Sequence, residues 1–117
     1  MEQIFSKLNF ATNGEGFTNI TNDLNLFIQK SNFHSGVLNL TSLHTSCSLT
    51  INENADPNVL KDLKKFMKSI VPTNCYTSLS KEREEIFYEH FQEGEDDMPA
   101  HIKTALTNTN LSLSFKK

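Results

Sequence analysis

The stretch EHFQEGEDDMPAH, residues 89 to 101, holds two histidines, five acidic residues, a glycine and a proline within thirteen positions. No other part of the chain combines two histidines with so many carboxylates. So many carboxylates cannot be desolvated without partners, and the stretch is therefore not a buried core segment. The sequence predicts either a solvated acidic loop ahead of a helix or a binding site.

A helix is predicted to begin within this stretch, after its acidic run, and is opened by Met98 and Pro99. Its apolar face at i, i+3 and i+4 consists of Ile102, Ala105 and Leu106. The carboxylates of Asp96 and Asp97 flank the N-terminus, where the helix dipole stabilises negative charge. His101 is predicted in the first turn. The field there opposes protonation and favours a neutral imidazole that can bind a metal.

A second polar cluster, HTSCSLTINENADP at residues 44 to 57, again combines a histidine with carboxylates. His44 interrupts a run of alternating apolar residues. It is predicted at a strand end or bulge, from which a side chain can be directed into a cleft. The pair Asp56-Pro57 is typical of a helix start, with an N-cap carboxylate followed by proline at N1. Asp56 therefore has a structural role, whereas Glu53 and Asn54 have none and are predicted to face the same cleft as His44.

The remaining elements are predicted from hydrophobic periodicity. Alternating apolar residues predict three β regions: a hairpin from 2–11 through the NGEG turn at 13–16 into 17–20, two strands or one bent strand over 36–52, and a final strand over 110–115. Helical spacing predicts two further helices, one capped by Thr21 and ending near Asn32, and one from Pro57 to Ile70. Residues 73–81 have turn composition, and residues 81–91 fit either a short helix or an extended segment.

Length and composition bound the class of protein. The 117 residues are predicted to form one domain, 1–117, large enough to bury an ordinary core. The net charge of −3 provides no basic surface, so a nucleic-acid partner is not expected. No apolar stretch approaches the length of a transmembrane helix, so no membrane partner is expected. Cys47 and Cys75 form no CxxC pair, and the sequence shows no signal-like charged and apolar leader. The sequence therefore predicts a cytoplasmic protein with reduced thiols.

Three histidines lie beside carboxylates: His44, His90 and His101. Three imidazoles with an open position suit catalytic zinc and related divalent ions, and we expect the three rings to converge on one metal. The spacing matches no short zinc signature. A metal-free alternative is that one histidine acts as a general acid or base oriented by Glu53 or Asp97.

Hydroxyl groups next to His44 suggest a second function for the upstream cluster. Thr45 and Ser46, with Ser48 nearby, have the chemistry to hold a phosphate group. On a strand the same side chains would simply form the solvent-exposed face. No nucleophile elbow and no glycine-rich phosphate loop is present, which argues against a triad hydrolase and a P-loop nucleotidase.

The segments HTSCSLTINENADPNV and EGEDDMPAHIKTAL closely resemble the YjbQ-like family of small bacterial and archaeal proteins, also called uncharacterised protein family 0047. The resemblance extends back through GFTNIT and forward through SLS, and leaves out a longer charged stretch around residues 77–87. It implies an α+β fold with a mixed β-sheet and two to three helices. It also implies a homotrimer with sites at or near the subunit interfaces.

The resemblance further implies a secondary thiamine-phosphate synthase activity, which joins a pyrimidine pyrophosphate to a thiazole phosphate and releases pyrophosphate. By motif, His44 belongs to the HTS segment, Glu53 and Asp56 to NENADP, and His90, Glu93, Asp97 and His101 to the acidic segment. The expected roles are a zinc-like or magnesium-like divalent metal at His44, His90 and His101, catalysis by Glu53 and Asp97, and substrate binding by Thr45, Ser46 and Asn54. A non-catalytic metal- or ligand-binding trimer and a purely structural trimer are the alternatives.

One departure from the family concerns the end of the chain. Members normally continue past the last strand into a glycine-containing turn and a further strand with a GTWQ motif, whereas this sequence stops at Lys117 and has no tryptophan. An unpaired sheet edge has to be tolerated, covered or paired with another chain. We therefore expect the chain to fold and to associate despite the absent strand.

Overall fold

The computed structural model describes residues 1–117 and has three helices and four strands. In chain order these are α1 (Thr21–Lys30), β1 (Ser35–Thr41), α2 (Pro57–Ile70), β2 (Cys75–Thr77), β3 (Glu85–Phe87), α3 (Asp97–Ala105) and β4 (Asn110–Lys116). The predicted α+β class is confirmed. None of the helices has the length and apolar character required to cross a membrane.

The strands form two two-stranded sheets, β1 with β4 and β2 with β3. The β2–β3 pair is antiparallel, with Tyr76 opposite Ile86. In the β1–β4 pair the Lys117 amide donates to the His34 carbonyl at 2.7 Å, and Gly36 lies beside Phe115, so these strands also run in opposite directions. Where the resemblance implied a mixed sheet, the strands of this chain form antiparallel pairs.

The predicted start of α2 is confirmed. The Asp56 carboxylate accepts a hydrogen bond from the Asn58 amide at 2.9 Å, and Pro57 occupies N1. This arrangement satisfies one of the amide groups that a helix start leaves without a partner. The helix ends at Ile70 as predicted, and the residue that follows, Val71, is only 3% exposed.

The predicted cap of α1 is wrong. The helix begins at Thr21, its N-cap is Ile20, and no side chain caps it. Instead the Asn19 side chain accepts a hydrogen bond from the Thr21 amide at 3.0 Å. The helix ends at Lys30, close to the predicted end. Because Thr21 is already the first helical residue, its hydroxyl does not occupy the N-cap position.

The predicted hairpin over residues 2–20 is absent, and no strand is found before residue 35. Gly14 does adopt the positive φ of 74° that its turn composition predicted. The side chains of Ile4, Phe5 and Leu8 are exposed. Loose alternation without a partner strand provides no ladder of hydrogen bonds, so it does not by itself form a sheet.

Two other β predictions differ from the structure. The region 36–52 forms β1 only as far as Thr41 and continues as a loop with a single bridge between Leu49 and Asn108. Residues 73–81, predicted as a turn, contain β2, and residues 81–91 contain β3 as an extended segment. Short strands of three residues carry too little alternation to be distinguished from turns. The final strand is confirmed as β4, in which Leu111, Leu113 and Phe115 alternate with exposed residues.

The chain divides into two compact units, one of residues 1–38 with 112–117 and one of residues 39–111. The first contains α1, and the second contains α2, α3 and the β2–β3 hairpin. Both polar clusters predicted from the sequence lie in the second unit. The apolar face of α2 is partly open, because Phe66 is 59% and Ile70 is 48% exposed.

Candidate functional site

The first residue of α3 gathers two histidines around one carboxylate oxygen. The helix begins at Asp97, one residue earlier than predicted, and its N-cap Asp96 makes no side-chain capping bond. Asp97 and His101 are four residues apart and therefore share a face of α3. Asp97 Oδ2 lies 2.7 Å from His90 Nε2 and 3.1 Å from His101 Nε2. These three residues, His90, Asp97 and His101, form the candidate site.

The loop before α3 brings His90 back to the helix start. Within it the Gly94 amide donates to the Phe91 carbonyl at 3.2 Å, and the Asp97 amide donates to the Gly94 carbonyl at 3.4 Å. Gly94 adopts a φ of 115°, a conformation that residues with a Cβ rarely adopt. The glycine of the acidic stretch is therefore required for this turn.

His101 is fixed by a main-chain group of the upstream cluster. Its Nδ1 lies 3.0 Å from the carbonyl oxygen of Thr45. A carbonyl only accepts hydrogen bonds, so Nδ1 carries the proton and donates. In the neutral ring Nε2 then has a lone pair, and this lone pair faces the Asp97 carboxylate. Two acceptors this close repel each other unless a proton or a cation lies between them.

The Asp97 carboxylate is held in its charged form. Its pKa is lowered from the ordinary value of 3.8, chiefly by the hydrogen bond from His90, with a further contribution from the nearby His101 ring. Partial burial acts in the opposite direction and does not prevail. The candidate site thus holds an ionised carboxylate at neutral pH, next to two imidazole rings whose centroids are 5.6 Å apart.

These residues fit a divalent cation. One nitrogen from each histidine and one Asp97 oxygen lie within 4.8 Å of one another. Ligand atoms at the usual 2.0–2.1 Å from a tetrahedral zinc are about 3.3 Å apart. The two nitrogen–oxygen distances of 2.7 and 3.1 Å therefore need to lengthen only slightly to admit the ion. His101 also meets the usual requirement that a ligating imidazole donates its other N–H to a carbonyl. Glu93 Oε2 is 3.6 Å from His90 Nε2 and provides a further carboxylate nearby.

His44 is not among the three grouped residues. Its Nδ1 accepts a hydrogen bond from the Ser46 amide at 3.2 Å and lies 2.7 Å from the Ser46 hydroxyl. The structure therefore brings together two of the three predicted histidine ligands, and Asp97, predicted as acid or base, occupies the third position.

His44 and His101 both line a pocket of about 670 Å³, which we call the hydroxyl pocket. Its remaining lining residues are Ser42, Leu43, Thr45, Thr104, Ala105, Thr107 and Thr109. The sequence prediction included Thr45 but missed the other hydroxyl residues, because Ser42 directly follows β1 and the rest come from the end of α3 and from the loop before β4. Thr104 shares the helix with His101, and this i+3 spacing was the signal available in the sequence.

The other predicted site residues lie outside this pocket. Glu53 and Asn54 are exposed and line neither of the two pockets described here. Asp56 caps α2 as expected. Ser46 hydrogen-bonds to His44 Nδ1. Thr45, in contrast, does line the hydroxyl pocket, and its carbonyl also accepts a hydrogen bond from His101.

A second pocket, of about 490 Å³, contains His90. Three aromatic side chains, Phe87, Tyr88 and Phe91, line it with Asn74, Gly94 and Glu95. The Tyr88 hydroxyl donates to the Pro72 carbonyl at 2.8 Å, and burial is the main cause that raises the pKa of this phenol. One histidine of the candidate site thus lines an aromatic pocket and the other lines the hydroxyl pocket.

The chain is similar in sequence to several bacterial proteins described as UPF0047 proteins. A UPF0047 protein YjbQ of Escherichia coli O157:H7 is 38% identical over 111 residues, which cover 94% of this chain and 72% of the relative. A UPF0047 protein of Synechocystis is 40% identical over 100 residues, which cover 86% of this chain and 61% of the relative. The chain therefore spans about two thirds of the length of these relatives.

Solved structures of similar fold also include a protein described as a member of this family. A conserved hypothetical protein of Thermus thermophilus superposes with a TM-score of 0.69 at 32% identity, covering 91% of this chain and 71% of that one. An uncharacterised protein from Clostridium acetobutylicum, described as a member of the YjbQ/UPF0047 family, gives a TM-score of 0.64 at 25% identity and covers 87% of this chain and 73% of that one. The family profile described as UPF0047 protein YjbQ-like matches residues 6–117. The chain belongs to the YjbQ (UPF0047) family.

Proposed function

We propose that this protein is a divalent-metal-dependent transferase that acts on a small phosphorylated substrate, in a reaction of the thiamine-phosphate synthase type. One observation carries the proposal: the His101 Nε2 lone pair and His90 Nε2 meet at a single ionised oxygen of Asp97. A divalent cation removes the repulsion between the lone pair and the carboxylate. The adjoining hydroxyl pocket has room for a phosphorylated ligand.

The donor set favours a particular kind of metal. Two imidazole nitrogens and one carboxylate oxygen suit zinc, manganese or iron better than magnesium, which prefers oxygen ligands and water. When bound, such an ion supplies a Lewis acid that stabilises charge on phosphoryl oxygens. His90, Asp97 and His101 would hold it. The proton that His90 Nε2 donates to Asp97 in the metal-free protein would be displaced on binding, and the Thr45 carbonyl would keep His101 in the ligating tautomer.

A second candidate function is non-catalytic binding of a metal or a small ligand. It is favoured by the position of Glu53, which lies outside both pockets. With Asp97 engaged as a ligand, no carboxylate lines the hydroxyl pocket to transfer a proton. Turnover distinguishes the two functions, because both require the same metal.

We also propose that the protein acts as a homotrimer in the cytoplasm. The partly exposed apolar side chains of α2, among them Phe66 and Ile70, supply surface that a neighbouring subunit can bury. Both Cys47 and Cys75 are free thiols, which suits a reducing compartment. Light scattering at micromolar concentration tests the assembly: a mass of three chains is expected, and a well-folded monomer would contradict it.

The proposed activity is tested with untagged protein purified without added metal. Elemental analysis is expected to find about one divalent ion per chain. The metal-loaded protein, given a pyrimidine pyrophosphate and a thiazole phosphate, is expected to release pyrophosphate together with thiamine phosphate. Metal without turnover supports the binding function, and absence of metal uptake contradicts both.

A further inference from the structure

The two histidines of the hydroxyl pocket are held in opposite tautomers. His101 donates from Nδ1 to the Thr45 carbonyl, which leaves a lone pair on Nε2. His44 has the reverse arrangement, because its Nδ1 receives the Ser46 amide hydrogen at 3.2 Å. A backbone amide can only donate, so Nδ1 of neutral His44 holds the lone pair and Nε2 holds the proton.

This arrangement makes His44 unsuited to bind the metal. Its Nδ1 is occupied by the Ser46 amide and lies 2.7 Å from the Ser46 hydroxyl. Its Nε2 carries a proton and would have to lose both that proton and the hydrogen bond at the other nitrogen before it could bind a cation. The Nε2–H group makes no hydrogen bond to the protein and is therefore available to a ligand in the pocket.

The rest of the pocket lining is consistent with an anionic ligand. It contains no carboxylate, and the hydroxyl groups of Thr45, Thr104 and Thr109 have no hydrogen-bond partner in the protein. The Ser42 and Thr107 hydroxyls, in contrast, donate to backbone carbonyls. The pocket thus offers three free hydroxyls and one imidazole N–H, all of which can donate to negatively charged oxygens.

We infer that His44 is a specificity-determining residue that donates its Nε2–H to a phosphoryl oxygen of the ligand in the hydroxyl pocket. In this role His44 binds the ligand, while His90, Asp97 and His101 bind the cation. The inference deepens the proposed function and rests on it for the identity of the ligand as a phosphorylated compound. It assigns different tasks to histidines that the sequence grouped together.

The tautomer is tested directly by nitrogen NMR of histidine side chains in chelator-treated protein at mildly alkaline pH. The His44 signals are assigned by their loss in His44→Gln. The expected result is a proton on Nε2 of His44 and on Nδ1 of His101. Ser46→Ala is the matched control: it keeps the backbone amide and is expected to keep the tautomer. A proton on Nδ1 of His44 overturns the inference.

The ligand is tested with inorganic pyrophosphate as the probe. In chelator-treated wild-type protein its addition is expected to shift the Nε2 signal of His44, and an unmoved signal overturns the inference. In metal-loaded protein, His44→Phe keeps a ring but removes the donor, and is expected to weaken pyrophosphate binding about tenfold or more. His44→Gln retains an N–H near the same place and is expected to bind within about threefold of wild type.

The two proposals fail in different ways. If His44 bound the metal, His44→Phe would lose bound metal, and that result overturns the inference while leaving a metal-dependent function in place. If wild-type protein takes up no metal, the proposed function fails, whereas the tautomer and the pyrophosphate-induced shift of His44 still decide the present inference.

Discussion

Two helices of this protein have an aspartate at their start, the N-cap Asp56 in α2 and the first residue Asp97 in α3, and the two carboxylates are used differently. At the start of α2, Asp56 accepts the Asn58 amide at 2.9 Å and serves the helix itself. At the start of α3, no side chain caps the helix, and Asp97 accepts from His90 at 2.7 Å and lies 3.1 Å from His101. The first carboxylate satisfies a backbone group, and the second is available to other side chains.

In this protein the carboxylate that the helix does not use, that of Asp97, is the functional candidate, whereas that of Asp56 is occupied by the helix. An N-cap aspartate contributes on the order of 1 kcal/mol to stability by satisfying an amide. In α3 the N-cap position belongs to Asp96, which makes no capping bond, and the next residue, Asp97, lies within hydrogen-bonding distance of two imidazoles. Substitutions at both positions can therefore separate stability from metal binding.

The largest effect is expected from Asp97→Asn. The amide keeps the shape of the side chain but removes the charge that a cation requires, so metal affinity is expected to fall about 100-fold or more. Asp56→Asn is the matched control, since asparagine caps a helix as well as aspartate does. Titration calorimetry with zinc measures both variants. Equal losses of metal affinity in the two variants would contradict the assignment of Asp97 to the metal and of Asp56 to the helix cap.

A smaller effect is expected from His101→Ala, because the Asp97 charge that attracts the cation remains. Metal affinity is expected to fall at least about tenfold. His34→Ala serves as the control, because His34 is exposed and lies in the other compact unit. Competition with a zinc-binding dye gives both affinities. Unchanged binding in His101→Ala would show that this imidazole is not a ligand.

Removal of the α2 cap is expected to affect stability alone. Asp56→Ala leaves the Asn58 amide without its partner and should cost about 1 kcal/mol of unfolding free energy. Metal affinity should stay within the error of the wild-type value. Urea unfolding followed by circular dichroism measures the first quantity and calorimetry the second. Loss of metal with unchanged stability would reverse the assigned roles.

The smallest expected effect is on the acid titration of Asp97. Its pKa is lowered in the folded, metal-free protein, so the interaction stabilises the fold above the ordinary value of 3.8 and is lost as the pH falls through the lowered pKa. His90→Gln removes the principal cause, and the pKa should then move back toward the ordinary value. Carbon NMR of the carboxyl groups records this change. A pKa unchanged by His90→Gln would exclude His90 as its cause.

The start of α2 and the last strand could be predicted from local sequence. Asp56 and Pro57 specify the beginning of α2 through backbone chemistry, and the alternation of Leu111, Leu113 and Phe115 specifies β4. The hairpin predicted before residue 20 and the long strand predicted through residue 52 depend on partner strands. Pairing is not encoded in one segment, so apolar alternation alone could not decide either of them.

The site could be predicted in composition but not in arrangement. The acidic stretch contains all three grouped residues, and the i, i+4 relation of Asp97 and His101 could be read once a helix was placed there. Two contacts could not be predicted. The bond from His101 to residue 45 spans 56 positions, and the Ser46 amide that binds His44 belongs to a loop where a strand was expected.

The contact between His101 and the Thr45 carbonyl also limits what mutation can change. Because the acceptor is a main-chain atom, every amino acid at position 45 supplies it, and a search for variants that disrupt the tautomer would find none among simple replacements there. Disruption requires a change in the path of the loop, such as an insertion or deletion between residues 41 and 49. We therefore expect the tautomer of His101 to depend on the length of this loop and not on the side chain at position 45.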